Sequence, residues 1–502
     1  MKKAIFVILF FLFECVLFAQ YQNLEELSTG VIETTSILTD SDKNVIGYSI
    51  LYNKGLVNDS KEQEFEYVIL DKKLHKVTNG TYQIPYTQKL VPRVQSVIFN
   101  NQQVYVVTRI IDQKYGISSG QLVTSIDLKS NQFKHFLYTY GTIYKHEEIN
   151  FNELAKMDFR GNYGISDYVF IHAEKDQVYY VATQFNRINP EEIPLYYITF
   201  YDSDFNKKYE YYLDGEKRKN YYSFLGKSIK NHQTVIWQRK NTFKDGLKMG
   251  VDRLLTYDIN TSELLSNIVY NSNLVNGQEY YDPNVEVFDQ KMFVVGEIKM
   301  APEQYVGKYQ SKPSLGIKRT IYDEKGEVLV DNKVYYQDIF AELKFKNGRD
   351  SKGYKFLMTE HFNFNDHSFT ILLAKEKGDG NFVATKTTDY ILVNFDPKGN
   401  YTHHLVLEKS KEYFDSYLFS QENKEKNEVL FFYQEKLKED GKKNYYLVVN
   451  KLKDGQLSQL KMPFKTESTS LRFSKAEYGS ILITEYNQED KEVSIRLEKL
   501  NL

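Results

Sequence analysis

The feature that most restricts the fold is a short β-hairpin that returns along almost the whole chain. It reads FEYVILDKKLHKV at 65–77, LVTSIDLKSNQFKHF at 122–136, LYYITFYDSDFNKKYEYYL at 195–213 and RLLTYDINTSELL at 253–265. It returns as IKRTIYDEKGEVLV at 317–330, DYILVNFDPKGNYTHHLVL at 389–407 and NYYLVVNKLKDGQLSQL at 444–460. Each copy is a β-branched and aromatic run, a polar turn led by Asp or Asp-Gly, and a second run. Asp323 to Gly326 and Asp396 to Gly399 place Asp first and Gly where a positive φ is required. The turns fall near 71, 127, 203, 259, 324, 397 and 454, about 45 to 75 residues apart.

A second strand pair precedes most hairpins. Val285–Phe288 and Met292–Ile298 lie ahead of the fifth, and Tyr413–Ser420 and Val429–Tyr433 ahead of the seventh. Leu471–Phe473, Ile481–Tyr486 and Val493–Leu500 then form a last unit of three strands. A four-stranded antiparallel unit cannot bury both of its faces alone, and stacking such units around an axis does so. The pattern predicts an all-β chain, a β-propeller of seven or eight four-stranded blades. Gly30–Leu38 (GVIETTSIL) is the strand expected to complete the last blade and close the ring. The alternative is a series of β-sandwich domains, which needs linkers; no Pro, Gly or Ser cluster supplies one.

Lys2 and Lys3, the apolar run Ala4–Phe13, its extension through Phe18, and the Ala19-Gln20 step have the order and length of a secretory signal over residues 1–19. A membrane anchor is the rival; the stretch carries Glu14 and falls short of the roughly 20 apolar residues that span a bilayer. Lipidation at Cys15 would want small residues where Phe13 and Glu14 stand. Leu17 is large for the third position before the cut, which leaves the cut position open. The mature chain is then expected as one propeller domain over 20–502, with insertions near 142–167 and 338–353. No later stretch approaches 18 apolar residues, so no transmembrane segment is expected after cleavage.

Cys15 is the only cysteine, so the mature chain has no disulfide, thiol nucleophile or thiolate metal site. The leader and the Lys-, Asn- and Tyr-rich composition resemble exported β-propeller proteins of Bacteroidota type. That resemblance names no specific family. It implies the periplasm, with the outer membrane or the exterior as alternatives.

The search for chemistry is largely negative. With 65 Lys and Arg against 67 Asp and Glu, the net charge of −2 gives no pull toward nucleic acid. No HExxH, P-loop, G-x-G-x-x-G or G-x-S-x-G sequence occurs. His146 opens the best helical stretch, His146–Met157, without a second His one turn on. If 361–367 (HFNFNDH) were extended, His361, Asn363, Asn365 and His367 would share a face and offer two imidazoles to a metal; a hairpin is the simpler reading. Asp202 and Asp204 resemble the start of a calcium loop, but Phe205 and the Lys207-Lys208 pair follow, which favours a turn. His403 and His404 alternate across a strand and read as structural. The basic cluster Lys217-Arg218-Lys219 reads as a solvated loop. No catalytic, metal or cofactor residue is assigned, and no cofactor is expected.

Tyr doublets recur, among them Tyr179-Tyr180, Tyr335-Tyr336 and Tyr445-Tyr446. Strand neighbours face opposite ways, so each doublet packs both sides of a blade, and any surplus at loop ends makes rims suited to protein contacts. These features favour a non-catalytic periplasmic scaffold that docks a protein partner, as in an outer-membrane export or envelope machine. The alternative is a glycan-binding or glycan-degrading propeller with its site at the ring mouth. The lone Trp237 disfavours a sugar platform.

Overall fold

The computed structural model describes residues 20–501 apart from 41–43, 60, 101–102, 140–141, 146–147, 157–167, 175–176, 186–195, 203, 214–219, 231–232, 245–246, 259, 262, 272–278, 289–290, 301–312, 378–385, 408–416, 440–441, 465–469 and 487–491. Residues 1–19, where a secretory signal is expected, therefore lie outside the described residues.

The described residues form eight antiparallel sheets, the first seven with their strands in chain order from the first outward. They occupy 31–85, 90–145, 168–213, 220–271, 279–335, 355–407, 417–464 and 470–499, the last joined by Gln20–Asn23. First strands of successive sheets touch, as between Val31–Thr39 and Leu90–Asn100 or Tyr417–Asn423 and Ser470–Lys475. The first strand of each sheet is therefore the inner one, and the sheets are blades 1 to 8 of a propeller.

Alternation along single strands drives this arrangement. In blade 1, Tyr48, Ile50 and Tyr52 enter a core shared with Leu482 and Ile495 of blade 8. Leu51 between them enters the core shared with Val104 and Leu122 of blade 2. In blade 6, Ile371 and Leu373 face blade 5 while Leu372 faces blade 7. In blade 7, Phe431 faces blade 6 while Leu430 and Phe432 face blade 8. Period two thus sends consecutive residues into two different cores. A sandwich would bury one face only, and the tandem-sandwich alternative falls on this point.

The seven recurring turns are the connections between third and fourth strands of blades 1 to 7. Asp71 accepts from the backbone N–H of Lys73 at 2.7 Å and of His75 at 2.9 Å. Asp202 does the same with Asp204 and Asn206 at 3.0 and 2.9 Å, and Asp323 with Lys325 and Glu327 at 2.9 and 2.8 Å. Asp396 accepts from Asn400 N at 2.7 Å, and Gly399 takes φ +82°. One carboxylate fills two donors that a tight turn leaves open.

Two expectations need correction, the closing strand and the extent of the helix in the first insertion. The strand that completes blade 8 is Gln20–Asn23, paired with Glu492–Lys499, not Gly30–Leu38. Val31–Thr39 is instead the inner strand of blade 1. Gly30 lies against Tyr52 and Asn53 of that blade, where an added Cβ would fall 2.8 Å from Tyr52 Cβ. The first insertion opens with a fifth strand, Thr142–Lys145, on the edge of blade 2. Its helix is α1, Phe151–Lys156, shorter than His146–Met157; Ile149 ahead of it packs on the core of blades 1 and 2.

The second insertion is a compact aromatic knot. The four-residue helix α2, Tyr336–Ile339, and a 3₁₀ turn at Ala341–Leu343 bring Tyr336, Phe340, Phe345 and Phe356 together with ring centroids 5.0–6.3 Å apart. The knot closes the seam between blades 5 and 6. Tyr336, the first residue of α2, is buried, and Tyr335, the last residue of the preceding strand, is half-buried.

Phe431 is fully buried and meets Phe362 edge-on at 5.4 Å across the seam of blades 6 and 7. Phe431→Ala is expected to cost about 3–5 kcal/mol in urea unfolding. The turn carboxylates supply a pH test. Burial alone would raise Asp71 and Asp202, but the hydrogen bonds from His75, Lys73, Asn206 and Lys208 outweigh it and hold both below the usual range. Asp396 is lowered chiefly by the Asn400 side chain. Lowered folded values mean a contribution complete above the unfolded pKa of about 3.9 and lost as pH falls through the folded values. The triple variant Asp71→Ala, Asp202→Ala, Asp396→Ala is expected to be less stable than wild type at pH 7 and to approach it toward pH 2.5 in denaturant titrations.

Candidate functional site at the axis

Polar side chains gather where the inner strands of blades 5, 6 and 7 converge. These strands are Glu279–Phe288, Lys355–Asn363 and Tyr417–Asn423. Alternation along the middle strand divides its side chains. His361 and Asn363 turn toward blade 5: His361 Nε2 lies 3.7 Å from Glu286 Oε2, and Asn363 Nδ2 donates to the same oxygen at 3.0 Å. Glu360 turns toward blade 7, where Tyr417 Oη donates to its Oε2 at 2.7 Å and Ser420 Oγ donates to the same atom.

Lys424, just past the inner strand of blade 7, reaches Glu286 Oε1 at 3.4 Å and Glu422 Oε2 at 3.9 Å. This contact skips blade 6 and joins blade 5 to blade 7, which only side chains near the axis can do. Burial alone would raise the Glu286 pKa. His361, Lys424 and Asn363 outweigh it and hold the carboxyl far below the usual range. Burial and the Glu360 carboxylate push the Tyr417 phenol far above its ordinary value, so it remains a donor.

Behind this cluster lies Arg319, on the third strand of blade 5 and 1% exposed. Its Nη2 donates to Asn363 Oδ1 at 3.3 Å, and its guanidinium carbon sits 4.0 Å over the Phe369 ring and 5.4 Å from that of Phe293. Burial lowers its pKa to about 10, so it remains a cation at neutral pH. A relay of Arg319, Asn363, Glu286 and Lys424 thus runs from the blade 5–6 seam across the axis to blade 7.

The His361–His367 metal reading is not supported. His367 sits in the following turn at φ +67° and accepts from Lys291 Nζ at 2.8 Å, while His361 faces Glu286. The tight turn at 364–368 breaks the extended geometry that a shared face needs. Among the described residues no group of three or more His, Cys, Asp or Glu converges for a metal. Asp202 caps its turn and pairs with Lys208 at 3.2 Å. His403 meets the Gly455 carbonyl at 3.0 Å on blade 7, and His404 meets Tyr401 at 2.9 Å and the Phe340 ring at 4.8 Å, on the opposite side. His146 and Lys217–Lys219 lie outside the described residues.

Sequence reasoning missed Glu286, Glu360, Tyr417, Lys424 and Arg319. The available signal was position: Glu286 interrupts the apolar Val285–Phe288 run, and Arg319 stands inside IKRTIY without an acid opposite, its ladder partners being Val295 and Asn332.

Fold and site together define a β-propeller whose described blades number eight and whose axial polar groups bind one another across blades. The profile of DUF6770, a family of unknown function, matches residues 383–501. No curated protein shows a sequence match. Among solved structures, an ulvan lyase of polysaccharide lyase family PL25 aligns at 11% identity over 81% of this chain and 91% of its own, with a TM-score of 0.41. The β-propeller domain of the trilobed protease from Pyrococcus furiosus aligns at 11% identity over 83% and 97%, TM-score 0.35. The WD40 domain of SCAP from fission yeast aligns at 9% identity over 94% and 82%, TM-score 0.32. No helix among the described residues is long and apolar enough to cross a membrane.

Glu286→Gln removes the charge that holds His361 and Lys424. At pH 7 it is expected to cost about 2 kcal/mol in urea unfolding, the scale of hydrogen bonds to a charged group. Because the folded value is depressed, the contribution is present above the unfolded pKa of about 4.3 and fades as pH falls below it. The stability gap between variant and wild type is therefore expected to narrow below about pH 4.

Proposed function

We propose that this protein is a non-catalytic scaffold, exported to the periplasm, that docks a protein partner in an outer-membrane export, uptake or envelope-assembly machine. The observation that carries the reading is where apolar side chains meet solvent. On the outer strand of blade 4, Leu264, Leu265 and Val269 are 46%, 39% and 55% exposed; on that of blade 5, Val328 and Leu329 are 57% and 52%. The two rims adjoin, since a Cβ on Gly326 of blade 5 would fall 3.0 Å from Ile268 Cγ1 of blade 4. Covering such side chains returns about 25 cal/mol per Å² of apolar surface. Grouped apolar exposure on a rim is what a docking face requires.

The axial groups weigh on the same side. A glycan-active propeller needs an acid and a base held open to substrate across the mouth. Here Glu286 holds Lys424, His361 and Asn363, and Glu360 holds Tyr417 and Ser420, so the described axial groups brace blades.

Purification of the tagged full-length chain from cross-linked native envelopes tests the proposal. A specific envelope protein is expected to co-elute, and the Leu265→Glu, Val269→Glu variant is expected to lose it at least tenfold with an unchanged melting temperature. A lone monomer that cleaves a polysaccharide would sink the reading and favour the glycan alternative.

A further inference from the structure

Arg319 is the bulkiest of the fully buried side chains, and its guanidinium is only partly satisfied. Nη2 donates to Asn363 Oδ1 at 3.3 Å, but among the described residues neither Nε nor Nη1 has a hydrogen-bond partner. A guanidinium carries donors only, set in a planar fork, so this edge is satisfied by an acceptor and by nothing else. Buried donors left open on a full charge are costly.

The surroundings narrow what that acceptor can be. The Phe369 ring, stacked on Phe395 at 4.3 Å, covers one face of the guanidinium, with Phe293 further off. The fork therefore opens in its own plane, within the seam between blades 5 and 6. Ile317 and Ile321 share the strand face of Arg319, and its ladder partners are Val295 and Asn332. Asn332 donates its amide to the Lys398 carbonyl. Asn363 donates to Glu286, whose carboxylate is itself held by Lys424 and His361. Asp366, the acid whose charge acts on Arg319, is exposed and accepts from Ser368 N and Oγ at 2.9 and 2.6 Å. Lys291 and His367 bond each other at 2.8 Å. A water at the fork would need acceptors for its own hydrogens. Among the described side chains around the guanidinium, the Asn363 oxygen is already in use and the rings and aliphatic groups offer none. An ion that only accepts, with a single negative charge, matches both the open donors and a cation that has no carboxylate bonded to it.

We propose that Arg319 Nε and Nη1 bind a small monovalent anion, a halide, in the seam between blades 5 and 6. The anion completes the relay that runs from Arg319 to Lys424. Because the site is closed to solvent, the ion enters while the seam forms. The proposal stands apart from the docking reading and does not depend on it.

The full chain refolded from urea in sodium chloride, or in sodium gluconate at the same ionic strength, provides the test. A ligand of the folded state lowers the unfolding constant as its concentration rises, and a fall of about tenfold is expected between about 10 mM and about 300 mM chloride. In Arg319→Met, which keeps much of the apolar contact with the rings, the fall is expected to be about twofold at most. Crystals of the wild-type chain refolded in sodium bromide give a second readout that needs no variant. An anomalous bromide peak within hydrogen-bond reach of Nε and Nη1 is expected. Absence of a chloride response in the wild type, an equal response in Arg319→Met, or a water without bromide signal at the fork each overturns the proposal.

Discussion

A four-stranded sheet has two apolar faces, and this molecule depends on covering both. Each seam between neighbouring blades does the covering, from the Leu51–Val104 core between blades 1 and 2 to the Leu430–Ile481 core between blades 7 and 8. Even where the described contacts are sparse, as between blades 3 and 4, Tyr209 and Tyr257 meet with ring centroids 5.8 Å apart. No blade supplies a complete core, so the unit of stability is the pair. In an open row the two end blades would each leave one face bare. The Tyr48–Leu482–Ile495 core between blades 8 and 1 is where that exposure is removed, with Leu24 wedged into it and Lys72 paired to Glu477 at 2.7 Å over it.

The axis poses the opposite problem. Inner strands converge there, and side chains from three blades come within reach of each other, as Lys424 and Glu286 show. Apolar packing is non-directional, whereas a carboxylate with three partners constrains angle as well as distance. Glu286 therefore adds a directional tie among blades 5, 6 and 7 to the packing of the seams. Arg319 extends this at a cost: among the described residues its buried guanidinium has one hydrogen bond, to Asn363, and none to a carboxylate, and the faces of Phe369 and Phe293 only partly replace the solvation it gives up.

The repeating architecture was legible in the sequence because its determinants are local. Alternation of apolar residues and the Asp-led turn both act within a few residues, so every third-to-fourth strand hairpin of blades 1 to 7 could be read directly. The closing strand was not legible. Gln20–Asn23 is short and polar, and only its non-local pairing with Ser494–Leu497 makes it a strand, whereas Gly30–Leu38 carried the stronger local pattern. The axial cluster was hidden for the same reason. Glu286, His361 and Lys424 are 75 and 63 residues apart along the chain, and nothing local in the sequence says that inner strands of blades 5, 6 and 7 bring them together. The His361–His367 reading failed because it assumed an extended run through a tight turn.

The same logic bears on the region shared with the family of unknown function. Residues 383–501 begin between the second and third strands of blade 6 and end with the third strand of blade 8. At its start, Ile391 and Val393 pack with Ile371 and Phe369, which lie outside it. At its end, Glu492–Lys499 takes its outer partner from Gln20–Asn23 at the far end of the chain. The matched segment thus contains one complete blade, the seventh, flanked by two that each need strands from elsewhere. Its limits mark where sequence likeness is strong, not where a self-sufficient unit begins and ends. Blade 7 also supplies Tyr417, Ser420 and Lys424 to the axis, but Glu286, Glu360 and His361 lie before the segment starts. A chain reduced to this region would keep Tyr417, Ser420 and Lys424 and lose Glu360 and Glu286, the carboxylates that hold them across the blades.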